Sequence, residues 1–546
     1  MEPARVRLFG NVPGFRYAEL LRKDALPPNI EISEFFLMAG RWLKVDAAQR
    51  RYVPVNYSDA LPLLLQRRPN ALAQLVAREG ERLSLSCNPD LTVDLLSARR
   101  EGRLNFTFAA EVTDELPFMG GSADIGVQEA QVLLERPEGD ELFSLPQRPV
   151  SLANQAVGLH VSRLVPDGGT LQIGIGSIGD GVSQALLFRH HRNDSYRRLV
   201  ESCPFGPDPF GETEPFREGL HASSEMLSNG MLPLLEEGVI AREAEGALIR
   251  AAFFIGSRAM RERLREMSPD LRGRIGMVSV RETNLLEGIG ARREARRGAR
   301  FINNAMKASL LGSIFSDATP DGREVSGVGG QFDFIAQAFM LPDARAVTTF
   351  DATRQSHGTT SSNIVWEAAH ETAPRHFRDI VVTEYGIADL RWRTDEEAVR
   401  AMIAIADSRF QPELLEAAKR AGKLPRDAEV PADRRSNTPD ALRDWLAPAR
   451  ESGELPVFPF GTDFTPVERR LLPALDHLRN ASASRRSLMA LIWRGLTAGA
   501  PTPMQRACLE RMELHRPQDL RQRAALAALL GALRATENEP GLPREV

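Results

Sequence analysis

Val165-Pro-Asp-Gly-Gly-Thr-Leu-Gln-Ile-Gly-Ile-Gly-Ser-Ile-Gly-Asp180 sets a polar turn, a short apolar run and a string of small residues end to end. Pro-Asp-Gly-Gly is turn chemistry. The apolar residues of 171–175 predict a strand, and the periodicity of 180–190 predicts a helix. Strand, glycine turn and helix in succession open a βα unit. Gly174-Ile-Gly176-Ser-Ile-Gly179 is also a literal G-x-G-x-x-G, which invites a dinucleotide-binding reading. That reading needs a second strand ending in an acidic residue after the helix. Here the basic tract 190–198 and a Pro/Gly-dense stretch follow instead. A tight strand–helix turn cradling another ligand fits better.

The same rhythm extends outward in both directions. Segments 82–87 and 104–112 predict strands, with a helix over 88–100 that Asn88 or Asp90 can cap. Further strands are predicted at 219–223, 247–255, 275–280, 344–350 and 379–383. Helices at 257–267, 332–340 and 395–406 lie between or after them. Strand–helix alternation implies a mostly parallel sheet covered by helices. Two stretches break the pattern. Residues 191–217, with Glu201-Ser-Cys-Pro-Phe-Gly-Pro-Asp-Pro-Phe-Gly-Glu-Thr-Glu-Pro215, lack apolar periodicity and predict a linker or surface loop. Residues 425–466 are rich in proline and predict no regular element. Helical periodicity returns over 467–480 and 518–536. The expected organisation is therefore an N-terminal α/β domain (1–190), a linker or insertion (191–217), a C-terminal α/β domain (218–424), and a proline-rich linker with a helical extension (425–546).

Composition narrows the function classes. The chain has 546 residues, 42% of them hydrophobic and 26% charged, as an ordinary globular protein does. A formal charge of -4 leaves no basic surplus for nucleic acid. Its 3 cysteines, Cys87, Cys203 and Cys508, are too scattered for a disulfide framework or a zinc site and suit a reduced, cytoplasmic setting. The 9 histidines form no His-x-x-x-His pair, so no metal is expected. Residues 1–19 lack the apolar core of a signal peptide, and no apolar run suffices for a membrane span. The basic run Ala291-Arg-Arg-Glu-Ala-Arg-Arg-Gly-Ala-Arg300 is either a solvated helix face or a surface for phosphates. No Gly-x-Ser-x-Gly elbow of an α/β-hydrolase occurs.

Two further segments carry chemistry. Ser326-Gly-Val-Gly-Gly330 precedes Gln331-Phe-Asp-Phe334 and a helix, so its amides are open to a ligand beside a helix N-terminus; it is equally a structural turn. Glu225 lies in Gly219-Leu-His-Ala-Ser-Ser-Glu-Met-Leu-Ser-Asn-Gly230, where a strand meets a helix. It is either a first-turn glutamate favoured by the helix dipole or a nucleophile.

The segments Phe301-Ile-Asn-Asn-Ala305, Gly327-Val-Gly-Gly-Gln-Phe-Asp-Phe334 and Phe377-Arg-Asp-Ile-Val-Val-Thr-Glu-Tyr-Gly-Ile-Ala-Asp-Leu-Arg391 resemble the second half of acetyl-CoA hydrolase/transferase enzymes. Residues 165–176 resemble the strand and glycine loop that end the family's first half. The resemblance spans roughly residues 104–424. It implies two open α/β domains of the coenzyme A transferase type, with the active site in the cleft between them and a helical C-terminal extension outside the family pattern. It also implies transfer of CoA between a short-chain acyl-CoA and a carboxylate through a glutamyl-CoA thioester; an acyl-CoA hydrolase or a silent acyl-CoA-binding protein are the alternatives. The nucleophile falls at Glu225, the oxyanion-hole amides at Ile175 and Gly330, and a supporting asparagine at Asn284. Coenzyme A contacts fall on Leu171, Gln172, Gly174, Ile175, Gly176, Ser326, Gly327, Gly329, Gly330 and His357.

Departures from the family are local. Ser224-Glu225 replaces a Thr-Glu pair, the Asn-Asn-Pro pattern near Asn284 is missing, His357 stands where many members carry lysine, and Lys307 stands where an acid is common. The thioester is a substrate, no permanently bound cofactor is expected, and a homodimer is the expected assembly. An ordinary glutamate, with a pKa near ~4.3, would be ionised at pH 7 and need neither base nor metal to attack a thioester.

Overall fold

The computed structural model describes residues 20–135, 142, 147–206, 210–287, 290–356, 358–367, 369–497 and 499–537. Its first sheet is built from β1 (Ala71–Glu79), β2 (Arg82–Ser84), β3 (Thr107–Val112), β4 (Asp124–Gly126) and β5 (Val132–Glu135) in the order β4-β2-β1-β3-β5. β1, β3 and β5 run parallel, while β2 and β4 pair antiparallel on one side.

The second sheet has eight strands: β6 (Thr170–Ile173), β7 (His221–Met226), β8 (Ile249–Phe253), β9 (Ile275–Met277), β10 (Arg300–Asn304), β13 (Arg345–Thr349), β17 (Ile380–Thr383) and β18 (Gly386–Asp389). A small sheet of β11 (Lys307–Ser309), β12 (Ile314–Phe315) and β16 (Ile364–Val365) and the hairpin β14 (Thr353–Ser356)–β15 (Thr359–Ser362) stand beside it. The large sheet runs β18-β17-β13-β10-β6-β7-β8-β9, parallel throughout except at β17–β18. Helices cover both sheets, as the alternation predicts. The strand at the heart of the large sheet, β6, comes from within the span expected for the N-terminal domain. Its partners β10 and β7 come from the span expected for the C-terminal domain, so the change of sheet falls between Glu135 and Thr170, not at residue 190. Leu83 and Phe108 of the first sheet share one core with Ala222, Ile249 and Ile302 of the second.

Two expected loops hold helices. Within 191–217, Asn193–Glu201 is helical and buries Tyr196. Within 425–466, Pro439–Glu451 is helical, with Thr438 capping and Pro439 in the first turn. Its Trp445 and Leu446 pack with Tyr196, Phe205 and Tyr385, which joins both segments to the large sheet. The extension forms four helices, Pro466–Ala481, Arg485–Leu496, Pro503–Arg511 and Leu520–Ala535, around a core of its own.

Candidate active site

Parallel strands deliver their C-terminal ends to one edge, where ligands of open α/β sheets collect. Glu225 is the penultimate residue of β7, at that edge. It is therefore a strand-end glutamate and not a first-turn one. β6 pairs with β7 through Thr170↔His221 and Leu171↔Ala222, and this register sets the glycine turn after β6 beside the end of β7.

Gly330 approaches the Glu225 carboxylate so closely that a Cβ on it would lie 2.0 Å from Oε2, and 2.1 Å from Asn284 Nδ2. Only glycine fits. Its amide hydrogen-bonds the carboxylate. Asn284, fully buried, donates from Nδ2 to Glu225 Oε2 at 2.7 Å and to Asp333 Oδ2 at 3.1 Å. The structure thus brings Glu225, Asn284 and Gly330 together from β7, the helix Val280–Asn284 and the start of the helix Gln331–Met340.

Burial pushes the Glu225 carboxyl up to about 7, and the negative charges of Asp333 and Asp90 add to the rise. The Asn284 donor and the Gly330 amide oppose it by favouring the ionised form. The expectation of full ionisation at pH 7 is therefore corrected: near neutrality the Glu225 carboxyl is part acid and part carboxylate.

The first glycine loop divides by role. Gly176 begins the helix Ser177–His191 at φ +105°, a conformation open to glycine. Ile175 is exposed, and its carbonyl accepts from Asn304 Nδ2 at 3.2 Å. Gly174 is partly exposed at the strand's end, with its amide donating to the Ile302 carbonyl at 3.0 Å. Leu171 and Gln172 precede the loop, within β6. Leu171 is wholly buried between β10 and β7, and the buried Gln172 side chain lies 3.4 Å from that of Asn303. Of the second loop, the Gly327 amide donates to the Leu37 carbonyl at 2.9 Å, and the Gly329 carbonyl accepts from the Tyr57 amide at 3.0 Å. The amide of Ser326 donates to the Asp317 carbonyl at 3.2 Å. His357 lies outside the described residues.

Several site neighbours were not singled out by sequence reasoning. Tyr57 donates its hydroxyl to Asp90, and Ser58 donates to Asp333 Oδ1 at 2.8 Å. Asp90, read as a possible helix cap, is buried beneath Tyr57 and pushed up to about 6 by that burial. The Tyr57 ring also packs edge-on against Phe253 at the end of β8, at 5.6 Å. The segment before β1 thus closes over the second glycine loop.

The basic run 291–300 is divided: Arg293 and Arg297 are exposed, as on a solvated face, and the other arginines turn inward. Arg296 is 1% exposed, Arg292 pairs with Glu245 and Glu282, and Arg300 donates to the Leu164, Ala299 and Asp343 carbonyls. These arginines hold the fold from inside. Among the described residues no group of His, Cys, Asp and Glu is placed to hold a metal ion, and no helix is long and apolar enough to cross a membrane. Among the described residues, Cys87, Cys203 and Cys508 form no disulfide.

Comparisons with known proteins agree with this arrangement. Residues 256–418 match the acetyl-CoA hydrolase/transferase C-terminal domain. The chain is 26% identical over 404 residues to succinyl-CoA:cyclohexane-1-carboxylate CoA transferase of Geobacter metallireducens, covering 73% of this chain and 82% of that one. It is also 26% identical over 384 residues to 4-hydroxybutyrate coenzyme A transferase of Clostridium kluyveri, covering 68% and 78%. The fold resembles the crystal structure of RipA from Yersinia pestis with a TM-score of 0.57 at 22% identity, over 70% of this chain and 78% of that one. With a C-terminal domain of the acetyl-CoA hydrolase/transferase family over residues 256–418 and CoA transferases as relatives over most of its length, the chain is an enzyme similar to the CoA transferases.

Proposed function

We propose that this enzyme is a coenzyme A transferase working by double displacement through a glutamyl-CoA thioester at Glu225. The observation that carries the reading is the fit of Glu225 Oε2 against Asn284 Nδ2 and Gly330, so close that a side chain at residue 330 would displace one of them. The Glu225 carboxylate adds to the thioester carbonyl, and collapse expels the CoA thiolate to leave an acyl-glutamyl anhydride. The thiolate then adds to Glu225 Cδ and expels the acyl group as a free carboxylate. An incoming carboxylate reverses both steps and departs as the new acyl-CoA.

Attacking and leaving groups are anions throughout, so no proton transfer is needed. Charge develops on Glu225 Oε2 each time Cδ becomes tetrahedral, and the Asn284 donor already points at that atom. A donor of this kind is worth about 3–4 kcal/mol. The Gly330 amide serves the same carboxylate, while the Ile175 amide is assigned to the oxyanion on the substrate carbonyl. Coenzyme A is the substrate carried between acids.

Two experiments test the mechanism. Initial rates against acyl-CoA at several carboxylate concentrations are expected to give parallel lines. Acyl-CoA alone is expected to leave coenzyme A attached to the peptide holding Glu225, seen by mass. Intersecting lines with no trapped adduct overturn the double displacement. An adduct that loses free coenzyme A to water, without a carboxylate, makes the enzyme a hydrolase.

The pH dependence has a defined sign. Only the carboxylate attacks, and burial lifts the Glu225 carboxyl to about 7. kcat/KM should therefore fall about tenfold per unit as pH drops below that midpoint and level off above it. A profile flat from pH 5 to 8 would show that the nucleophile is an ordinary carboxylate or a different group.

A further inference from the structure

The helix that carries Asn284 is only five residues long, Val280–Asn284. A helix that short cannot hold itself, and its last carbonyls lack partners within it. Two side chains supply them. Gln337 Nε2 donates to the Thr283 carbonyl at 3.3 Å and, at shorter range, to the Asn284 carbonyl. Arg296 donates from Nη2 to the Glu282 carbonyl at 2.5 Å and from Nη1 to the Leu285 carbonyl at 3.0 Å. Arg296 Nη1 also donates to Gln337 Oε1, which fixes the amide so that its NH2 faces the carbonyls. Gln337 and Arg296 are 2% and 1% exposed, so these contacts are made away from water.

The spacing explains the rest. Gly330, Asp333 and Gln337 are three and four residues apart at the start of and along the helix Gln331–Met340, so they share one face. That face meets Asn284 at both ends. Asp333 accepts from its side chain and Gln337 donates to its backbone, while Gly330 supplies the amide beside Glu225. One rigid helix therefore sets the nucleophile's two donors relative to each other.

We propose that Gln337, braced by Arg296, is a positioning residue that holds Asn284 against the Glu225 carboxylate. The role rests on Glu225 being the nucleophile. Gln337→Met removes the donors with little change of volume. Gln337→Glu keeps a partner for Arg296 but turns an acceptor oxygen towards the carbonyls in place of the donor. Both variants are expected to lower kcat about 10- to 30-fold with an unchanged KM for acyl-CoA, and to move the kcat/KM midpoint to higher pH. In the Asn284→Ala background, Gln337→Met should add less than about twofold.

Additive losses, or an unmoved pH midpoint in a folded Gln337→Glu protein, overturn the proposal. A crystal structure of Gln337→Met tests the contact directly, while Glu225→Ala tests the nucleophile separately. Asn284 still 2.7 Å from Glu225 Oε2 refutes the positioning role. Asn284 displaced with wild-type turnover overturns the part given to the Asn284 donor in catalysis.

Discussion

Glu225→Ala is expected to lower acyl exchange by more than about a thousandfold while the protein stays folded. The side chain lies at the sheet edge, not in a core cluster, so truncation opens no large cavity. What disappears is the atom proposed to form the covalent bond, and the donors at Asn284 and Gly330 are left with no carboxylate to serve. Exchange above a few per cent of the wild-type rate would sink the assignment. Glu225→Gln gives the matching control. Folding raises the Glu225 carboxyl from the usual range to about 7, so the acid form is favoured in the folded state and stability drains away as pH rises between those limits. The uncharged amide escapes this penalty. At pH 8 Glu225→Gln should therefore melt at or above the wild-type temperature while remaining inactive. A clear loss of melting temperature at pH 8 would show that the carboxylate is structural.

Much of this site was visible in the sequence because its parts are local. The glycine string 326–330 needs small residues wherever a backbone approaches a ligand or a carboxylate, and the alternation of apolar runs located β7, β8, β13 and β17 to within a few residues. The partners of the site were hidden because they are remote. Ser58 meets Asp333 across 275 residues, and Tyr57 meets Asp90 from a segment with no motif at all. Asn284 was reached through resemblance; what secures it, Gln337 and Arg296, looks in sequence like an ordinary helix residue and one member of a basic run. Burial of such a run is a tertiary fact that charge patterning does not contain. Other misses had a local signal. Thr438-Pro439 and Thr502-Pro503-Met-Gln505 carry a capping residue before a first-turn proline, and the second closes a full capping box. Proline count over 425–466 concealed the first of these helices.

Gly330→Val should cut turnover by more than about a hundredfold, and even Gly330→Ala should be severely impaired. The reason is distance. A Cβ at residue 330 would sit 2.0 Å from Glu225 Oε2 and 2.1 Å from Asn284 Nδ2, well inside van der Waals contact. One of three things must give: the carboxylate rotates away, Asn284 withdraws, or the loop retreats and takes its amide with it. Each breaks a contact on which the covalent step depends, and losing one donor alone costs about 3–4 kcal/mol. The backbone at Gly330 has φ -97°, which alanine adopts without strain, so the loss must come from crowding at the carboxylate and not from a misfolded turn. Folding and catalysis are therefore expected to separate, with a melting temperature near wild type and a kcat/KM reduced at every pH from 6 to 9. Near-normal kinetics in a folded Gly330→Val protein would show that the second glycine loop is a structural turn, and that the oxyanion on Glu225 is served from elsewhere.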